Sequence, residues 1–339
     1  MRVLILGPAH VGDLAWYAAR ALRALRHEVV LQDFVHSDSE DPWWSRARWK
    51  VGGLDRWAVW RMNRRVLQAW RAARPDLVLV CKGRFLRPET VQQIRRAGTP
   101  IVNWYPDGIG EMEREFLIEC LPHYTAFFTK DTYLLARLRA VGADVRYLPL
   151  ACDPEIHRTV VLSDAEQRRC GSDVALVGSG YPFRTIYLPW LASYQVKLWG
   201  TAWRARATRR LPDGWQGCSV RGPEQAKVFN AAKINVNTVH YFEVHGVNRR
   251  TFDIAGCGGF QICTAAPDDL PTLFDVGREV LVAEDGAALR RLMDYYLAHE
   301  AERQAIGQAA QRRAHRDHTY RRRMEELLRV VSPGSTPAR

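Results

Sequence analysis

Two hydrophobic rhythms alternate along the chain. Short apolar runs at Val3–Leu6, Glu28–Phe34, Leu77–Cys81, Ile101–Trp104, Ala126–Thr129 and Val145–Leu148 are rich in β-branched and aromatic residues and predict strands. After the first of them, Leu14, Tyr17/Ala18, Ala21/Leu22 and Leu25 recur at helical spacing, which predicts a helix opening near Asp13 with one buried face. The second half repeats the theme. Strands are predicted at Val174–Val177, Val196–Trp199, Ile234–Val236, Phe260–Cys263 and Val280–Val282, with helical patterns near 224–232, 248–257 and 287–299. Strands alternating with helices at this spacing predict parallel sheets covered on both faces. The stretch 150–172 has no strong period and reads as a linker. The partition is 1–150 for a first domain, 151–172 for the linker and 173–316 for a second domain. A C-terminal helix at 317–331 and a disordered tail at 332–339 complete it. Two doubly wound domains in one chain predict a cleft, with ligands on loops at the carboxyl ends of the strands.

Composition narrows the picture. A chain of 339 residues, 47% hydrophobic, can bury two real cores and is not a disordered polymer. Its seven cysteines form no C-x-x-C pair, which argues against a disulfide framework or structural zinc and for a reducing cytoplasm. No apolar run approaches the ~20 residues that cross a bilayer. The opening Met1–Gly7 reads as a strand rather than a signal peptide. The net charge of +12 tempts one toward nucleic acid, but arginine outnumbers lysine 43 to 6, a bias that coding alone can produce. The excess is also spread over both halves, and no helix-turn-helix, zinc-finger or RNP signature is visible.

The most informative stretch runs from Ile234-Asn235-Val236-Asn237-Thr238 through a polar loop to Val247-Asn248-Arg249-Arg250-Thr251-Phe252-Asp253 and on to Gly258-Gly259-Phe260. A buried strand passes into a polar loop, a helix starts near Val247, and glycines turn into the next strand. Helix N-termini favour anions, and Arg249 and Arg250 add fixed positive charge there. Asp253 lies one turn beyond Arg249, so both can face one side. A carboxylate so placed suits the two hydroxyls of a ribose; an ordinary helix-surface ion pair is the alternative.

These residues carry a resemblance. N-R-R-T-F-D-I-A-G-C-G-G-F is similar to the signature of the CgeB-like (spore maturation) glycosyltransferases, which have the GT-B fold. The likeness extends to Leu148–Pro154, Phe128–Asp131, Trp104–Asp107, Leu273–Val280 and His318–Tyr320, most of residues 100–325. The resemblance implies transfer of a sugar from a nucleoside-diphosphate sugar held mainly by the second domain, with a ribose-binding role at Asp253, where relatives carry glutamate. Many relatives have a further carboxylate eight residues earlier. Here that position is His245, and Glu243 in the same loop is the substitute. The expected donor-binding set is Gly178, Ser179, Gly180, Arg184, Gly200, Arg221, His245, Asn248, Arg249 and Asp253. Gly178-Ser179-Gly180 admits backbone amides to a diphosphate that Arg184 neutralises, and Gly200 and Arg221 lie toward the base. No Asp-x-Asp motif is present, so neither a metal nor a cofactor is expected.

In the first domain, Gly7–Gly12 is neither a dinucleotide fingerprint nor a Walker A loop. His10 and Asp107, with Glu243 from the second domain, are the catalytic candidates. The bland alternatives are a solvated loop histidine and a helix cap. Residues 43–74 hold six of the twelve tryptophans, nine basic residues and one acid. That mixture suits an acceptor, a sugar or base, or an anionic membrane surface met peripherally; a helix burying its tryptophans against the first sheet is the alternative. The acceptor stays unnamed. A sugar-nucleotide epimerase or hydrolase on the same fold, or a non-catalytic basic binding protein, remains open.

Overall fold

The computed structural model describes residues 1–33, 52–112, 116–203, 211 and 213–331. The chain divides into two compact units, Met1–Pro149 together with the segment from Tyr320, and Leu150–Thr319. The first unit holds strands β1 (Arg2–Leu6), β2 (Glu28–Gln32), β3 (Leu77–Cys81), β4 (Ile101–Tyr105), β5 (Ala126–Thr129) and β6 (Val145–Tyr147). They form one sheet in the order β2-β1-β3-β4-β5-β6, every pairing parallel. β3, β4 and β5 are buried along their whole length, as parallel strands sandwiched between helices must be.

Up to Pro149, the helices of seven or more residues in this unit are α1 (Leu14–Ala24), α2 (Gly52–Ala73), α3 (Pro88–Arg96) and α4 (Thr132–Ala140). In α2, Val66 is buried in the sheet core, with Met62, Leu67 and Trp70 packed against it. Trp57 and Trp60 of the same helix stay about half exposed, each under an arginine, Arg61 and Arg64. The Trp-rich segment thus divides: its later turns are core, and its earlier ones keep Trp/Arg pairs on the surface. Trp43, Trp44 and Trp49 lie outside the described residues.

The second unit opens with a finding that the period analysis passed over. Within 150–172 stands α5 (Asp164–Cys170), started by a capping box in which the Ser163 hydroxyl accepts from the Glu166 N–H and Glu166 answers at the Ser163 N–H. The S-x-x-E spacing is the sequence signature of that cap; a helix of seven residues is too short to show a period. Then follow β7 (Ser172–Val177), β8 (Val196–Trp199), α6 (Gly222–Ala231), β9 (Ala232–Asn237), α7 (Arg249–Gly256), β10 (Gln261–Cys263), β11 (Leu281–Val282), α8 (Gly286–Ala298) and α9 (Glu300–Asp317). The sheet order is β11-β10-β9-β7-β8, again all parallel. Alternate residues of β7 point to opposite faces: Val174 and Leu176 join Leu289 and Met293 of α8, whereas Ala175 and Val177 join Ala226 and Phe229 of α6. All seven cysteines are free. Among the described residues, no helix is long and apolar enough to cross a membrane.

The chain returns to the first unit at its end. Tyr320 of α10 (Tyr320–Val331) stacks on Tyr17 of α1, ring centroids 4.7 Å apart, and meets Trp104 of β4 edge-on. Arg323 donates to the Pro149 carbonyl at 2.8 Å.

Candidate functional site

In the second unit the strand order turns back between β7 and β9, so the loops that leave these strands flank a crevice at the carboxyl edge, where open α/β sheets bind ligands. The loop after β7 is built around glycines. Gly178 has φ +134°, and a Cβ there would run into the Arg184 guanidinium. A Cβ at Gly180 would lie 2.8 Å from the Trp203 ring, and one at Gly200 would strike the Gly178 carbonyl. Gly178 N–H donates to Trp199 O at 2.7 Å, Gly180 N–H donates to Thr201 O at 2.8 Å, and Trp203 Nε1 donates to Gly178 O at 2.7 Å. The loops after β7 and β8 are therefore clamped together, and Thr201 reaches the Ser179 hydroxyl at 3.1 Å.

This clamp delivers a buried cation. Arg184 is only 7% exposed, donates to Ser179 O at 2.6 Å and stands 5.2 Å over the Tyr181 ring. Burial and the neighbouring Arg250 charge push its pKa down to about 9. Arg250, in the first turn of α7, has a buried Nη1 without a hydrogen-bond partner, and burial lowers its pKa too, with Glu243 opposing. Arg250 is close enough to depress the Arg184 pKa, and the carboxylate whose charge acts on both is the partly exposed Glu243, with Asp253 adding its charge at Arg250 alone. Glu243 takes long hydrogen bonds from His240 N–H and from Asn248 Nδ2, 3.5 and 3.4 Å.

An aromatic wall borders these groups. His240 and Phe183 are 5.3 Å apart, His240 and Tyr241 4.2 Å, and Tyr241 and Phe242 4.2 Å between ring centroids. Tyr181, Tyr241 and Phe242 are about half exposed. Arg250 and this wall are absent from the expected donor set. The signal for Arg250 was its place beside Arg249 at a helix start; the wall is foreshadowed only by the run His240-Tyr241-Phe242.

Several expected donor residues face inward. Asn248 caps α7, accepting from Thr251 N–H at 3.2 Å, and exchanges amide hydrogen bonds with buried Asn237. Asp253 has no exposed surface: its carboxylate lies 3.3 Å from Arg249 Nε and 3.4 Å from His157 Nε2. Its partner Arg249 is the one that reaches the surface, with a side chain 32% exposed. His157 is itself fully buried, and Asp153 N–H donates to its Nδ1 at 3.0 Å. His245 pairs with Asp268 at 3.3 Å. Arg221 is exposed at the N-cap position of α6. In the first unit, His10 is exposed on the loop after β1, and Asp107 pairs with Lys82 at 2.5 Å. Among the described residues, no cluster of three or more His, Cys, Asp or Glu side chains is placed to hold a metal ion. A cavity of about 510 Å³ lined by Arg168, Ser172, Gln195 and Lys233 lies at the amino ends of the strands, remote from the arginines.

Residues 165–329 match the family model described as Glycosyl transferase-like. A comparison of the sequence with curated proteins finds no match. Among solved structures, the chain is similar to sucrose-phosphate synthase from Thermosynechococcus elongatus at 14% identity and a TM-score of 0.68, over 97% of this chain and 98% of that one. It is similar to HepE of Anabaena in complex with UDP-glucose at 13% identity and a TM-score of 0.68, over 97% and 99%. It is also similar to the trehalose-6-phosphate synthase OtsA at 11% identity and a TM-score of 0.66, over 97% and 98%. The fold is GT-B, and residues 165–329, most of the second unit together with the first ten residues of α10, are similar to the glycosyl transferase-like family.

Proposed function

We propose that the chain is a glycosyltransferase of the CgeB-like kind, which moves a sugar from a nucleoside-diphosphate sugar to an acceptor. The observation that carries this reading is the pair of neighbouring guanidiniums, Arg184 and Arg250, at the strand-order reversal of the second unit. A diphosphate supplies negative charge to match the pair. Developing charge on the leaving diphosphate is met by both arginines and by the N-terminus of α7, in the role a divalent cation plays in other transferases. Neither a metal nor an organic cofactor enters this mechanism. The Anabaena relative bound to UDP-glucose supports a nucleotide-sugar donor. Seven free cysteines suit work in the reducing cytoplasm.

A thermal-shift screen with UDP, GDP and dTDP tests the reading. At least one nucleotide is expected to raise the melting temperature, and R184A and R250A each to weaken its binding about 10- to 100-fold, the worth of one or two charge-assisted contacts. No response to any nucleotide, alongside tight salt-sensitive DNA binding, overturns it. Nucleotide release without transfer to any acceptor points instead to a hydrolase or epimerase.

A further inference from the structure

The Trp/Arg-rich stretch is only half accounted for by the core. One side of α2 is pinned to the first sheet. Val66 is fully buried there, Met62 and Trp70 pack beside it, and Trp70 Nε1 donates to the Thr99 hydroxyl at 3.2 Å. Buried Asn63 fixes the helix further: its amide donates to Phe85 O at 2.9 Å, and its oxygen accepts from the Arg87 N–H at 2.9 Å. At about 100° per residue, these positions turn Trp57, Trp60, Arg61, Arg64, Arg65 and Arg71 outward, and all six are exposed.

The outward side pairs indoles with cations. Trp57 and Trp60 are 53% and 48% exposed, and each lies one turn before the arginine that covers it. Arg61 stands 5.2 Å from the Trp57 ring centroid and Arg64 5.5 Å from that of Trp60. From Arg56 to Arg74 the chain has six arginines and no acidic residue. Arginine-rich coding raises arginine everywhere, but it does not strip the acids from one helix. In α10, by contrast, Arg321, Arg322, Arg323 and Arg329 are accompanied by Glu325 and Glu326, and Arg321 pairs with Glu325 at 3.1 Å. The 22 residues of α2, at about 1.5 Å each, make a convex strip about 33 Å long.

We propose that this side of α2 is a docking surface for an anionic lipid membrane, which the helix meets lying flat. A strip of cations without acids is complementary to negative charge alone. The partner must also reward half-buried indoles, which charge attraction does not. An indole is most favourable at the boundary between water and hydrocarbon. Arginine stems lie along apolar surface there while their guanidiniums reach the lipid phosphates. A nucleic-acid duplex would reward the arginines but not the rings, because its bases are stacked inside. Single strands stack their bases in grooves rather than on a ridge. The inference does not depend on the sugar-transfer reading.

The test is co-flotation of the full chain with vesicles of phosphatidylcholine, alone or with about a third phosphatidylglycerol. The wild type is expected to bind the anionic vesicles roughly tenfold or more tighter than the neutral ones. It is expected to leave them as salt rises from about 0.1 M to about 1 M, which shortens screening from about 10 Å to about 3 Å. R61Q/R64Q and W57A/W60A are each expected to weaken binding roughly tenfold with the melting temperature unchanged. W57A/W60A keeps the net charge of +12, so its loss reports the rings. W57F/W60F is expected to bind better than the alanine pair. R278Q/R291Q removes two exposed arginines of the second unit and is expected to bind like the wild type. No binding to anionic vesicles overturns the proposal, as does W57A/W60A binding like the wild type or W57F/W60F binding no better than it. An equal loss in R278Q/R291Q also overturns it, since the attraction is then net charge. A chain that ignores vesicles but binds DNA through Arg61 and Arg64 assigns the strip to nucleic acid and overturns it as well.

Discussion

At Gly178 and Gly200 a hydrogen does two different jobs. At Gly178 an added methyl meets the far end of a flexible side chain, the Arg184 guanidinium; at Gly200 it meets a backbone carbonyl. Both residues have φ beyond +130°, which side chains rarely adopt. G200A is therefore expected to cost about 2–3 kcal/mol in urea unfolding, because no rotamer change relieves it. G178A displaces the arginine, and its larger effect is expected on nucleotide affinity measured by calorimetry. Equal losses of stability in both variants would show that the guanidinium cannot move aside. The Gly-Ser-Gly run and Arg184 were legible in the sequence as a loop after a strand. Their clamping by Gly200, Trp203 and Trp199 was not, because those contacts join loops some twenty residues apart and follow only from the β7–β8 pairing.

Among the elements, α7 shows where pattern reading succeeds and where it stops. Its span followed from the helical pattern near 248–257, whereas Asn248, expected among the donor residues, turned out to be its cap. Whether Asp253 points to solvent or inward depends on what covers the far side of the helix. That cover is the segment 152–157, brought in so closely that a Cβ on Gly256 would sit 2.9 Å from His157 Cβ. Burial holds His157 neutral, below its ordinary pKa, despite the raising influence of Asp253 and Asp153; Arg249 and His315 act with the burial. Its folded pKa lies below its unfolded one, so the unfolded chain binds the proton that the folded chain refuses, and stability is lost as pH falls below about 6.5. The urea midpoint is expected to drop between pH 7.5 and 5.5, and to drop less in H157Q. An identical drop in H157Q would move its origin elsewhere. D253A strands Arg249 and is expected to cost toward the lower end of about 3–5 kcal/mol, because Arg249 is 32% exposed.

For the whole molecule, two parallel sheets in a single chain were legible because eleven apolar runs alternate with helical stripes, and the structure turns each run into a strand. The order of strands, and with it the position of each crevice, is set by crossovers that leave no local mark. The same is true of α10: nothing in the amphipathic pattern of Tyr320–Val331 says which unit it completes. Its packing on α1 means that residues 1–149 made alone leave Tyr17 and Trp104 without the Tyr320 ring. That fragment is expected to melt lower and to bind a hydrophobic dye, and a peptide spanning 320–331 to reverse both. A fragment as stable as the intact chain would show the helix to be dispensable.

The returning helix also sets a timetable for synthesis. At about 5–20 residues per second, roughly ten to forty seconds separate the emergence of residue 149 from that of residue 331. The unit made from one continuous stretch, Leu150–Thr319, has all its residues before the unit that began first has received its last helix. During that interval an early nascent sheet waits with aromatic surface open, a natural client for a chaperone that holds without folding.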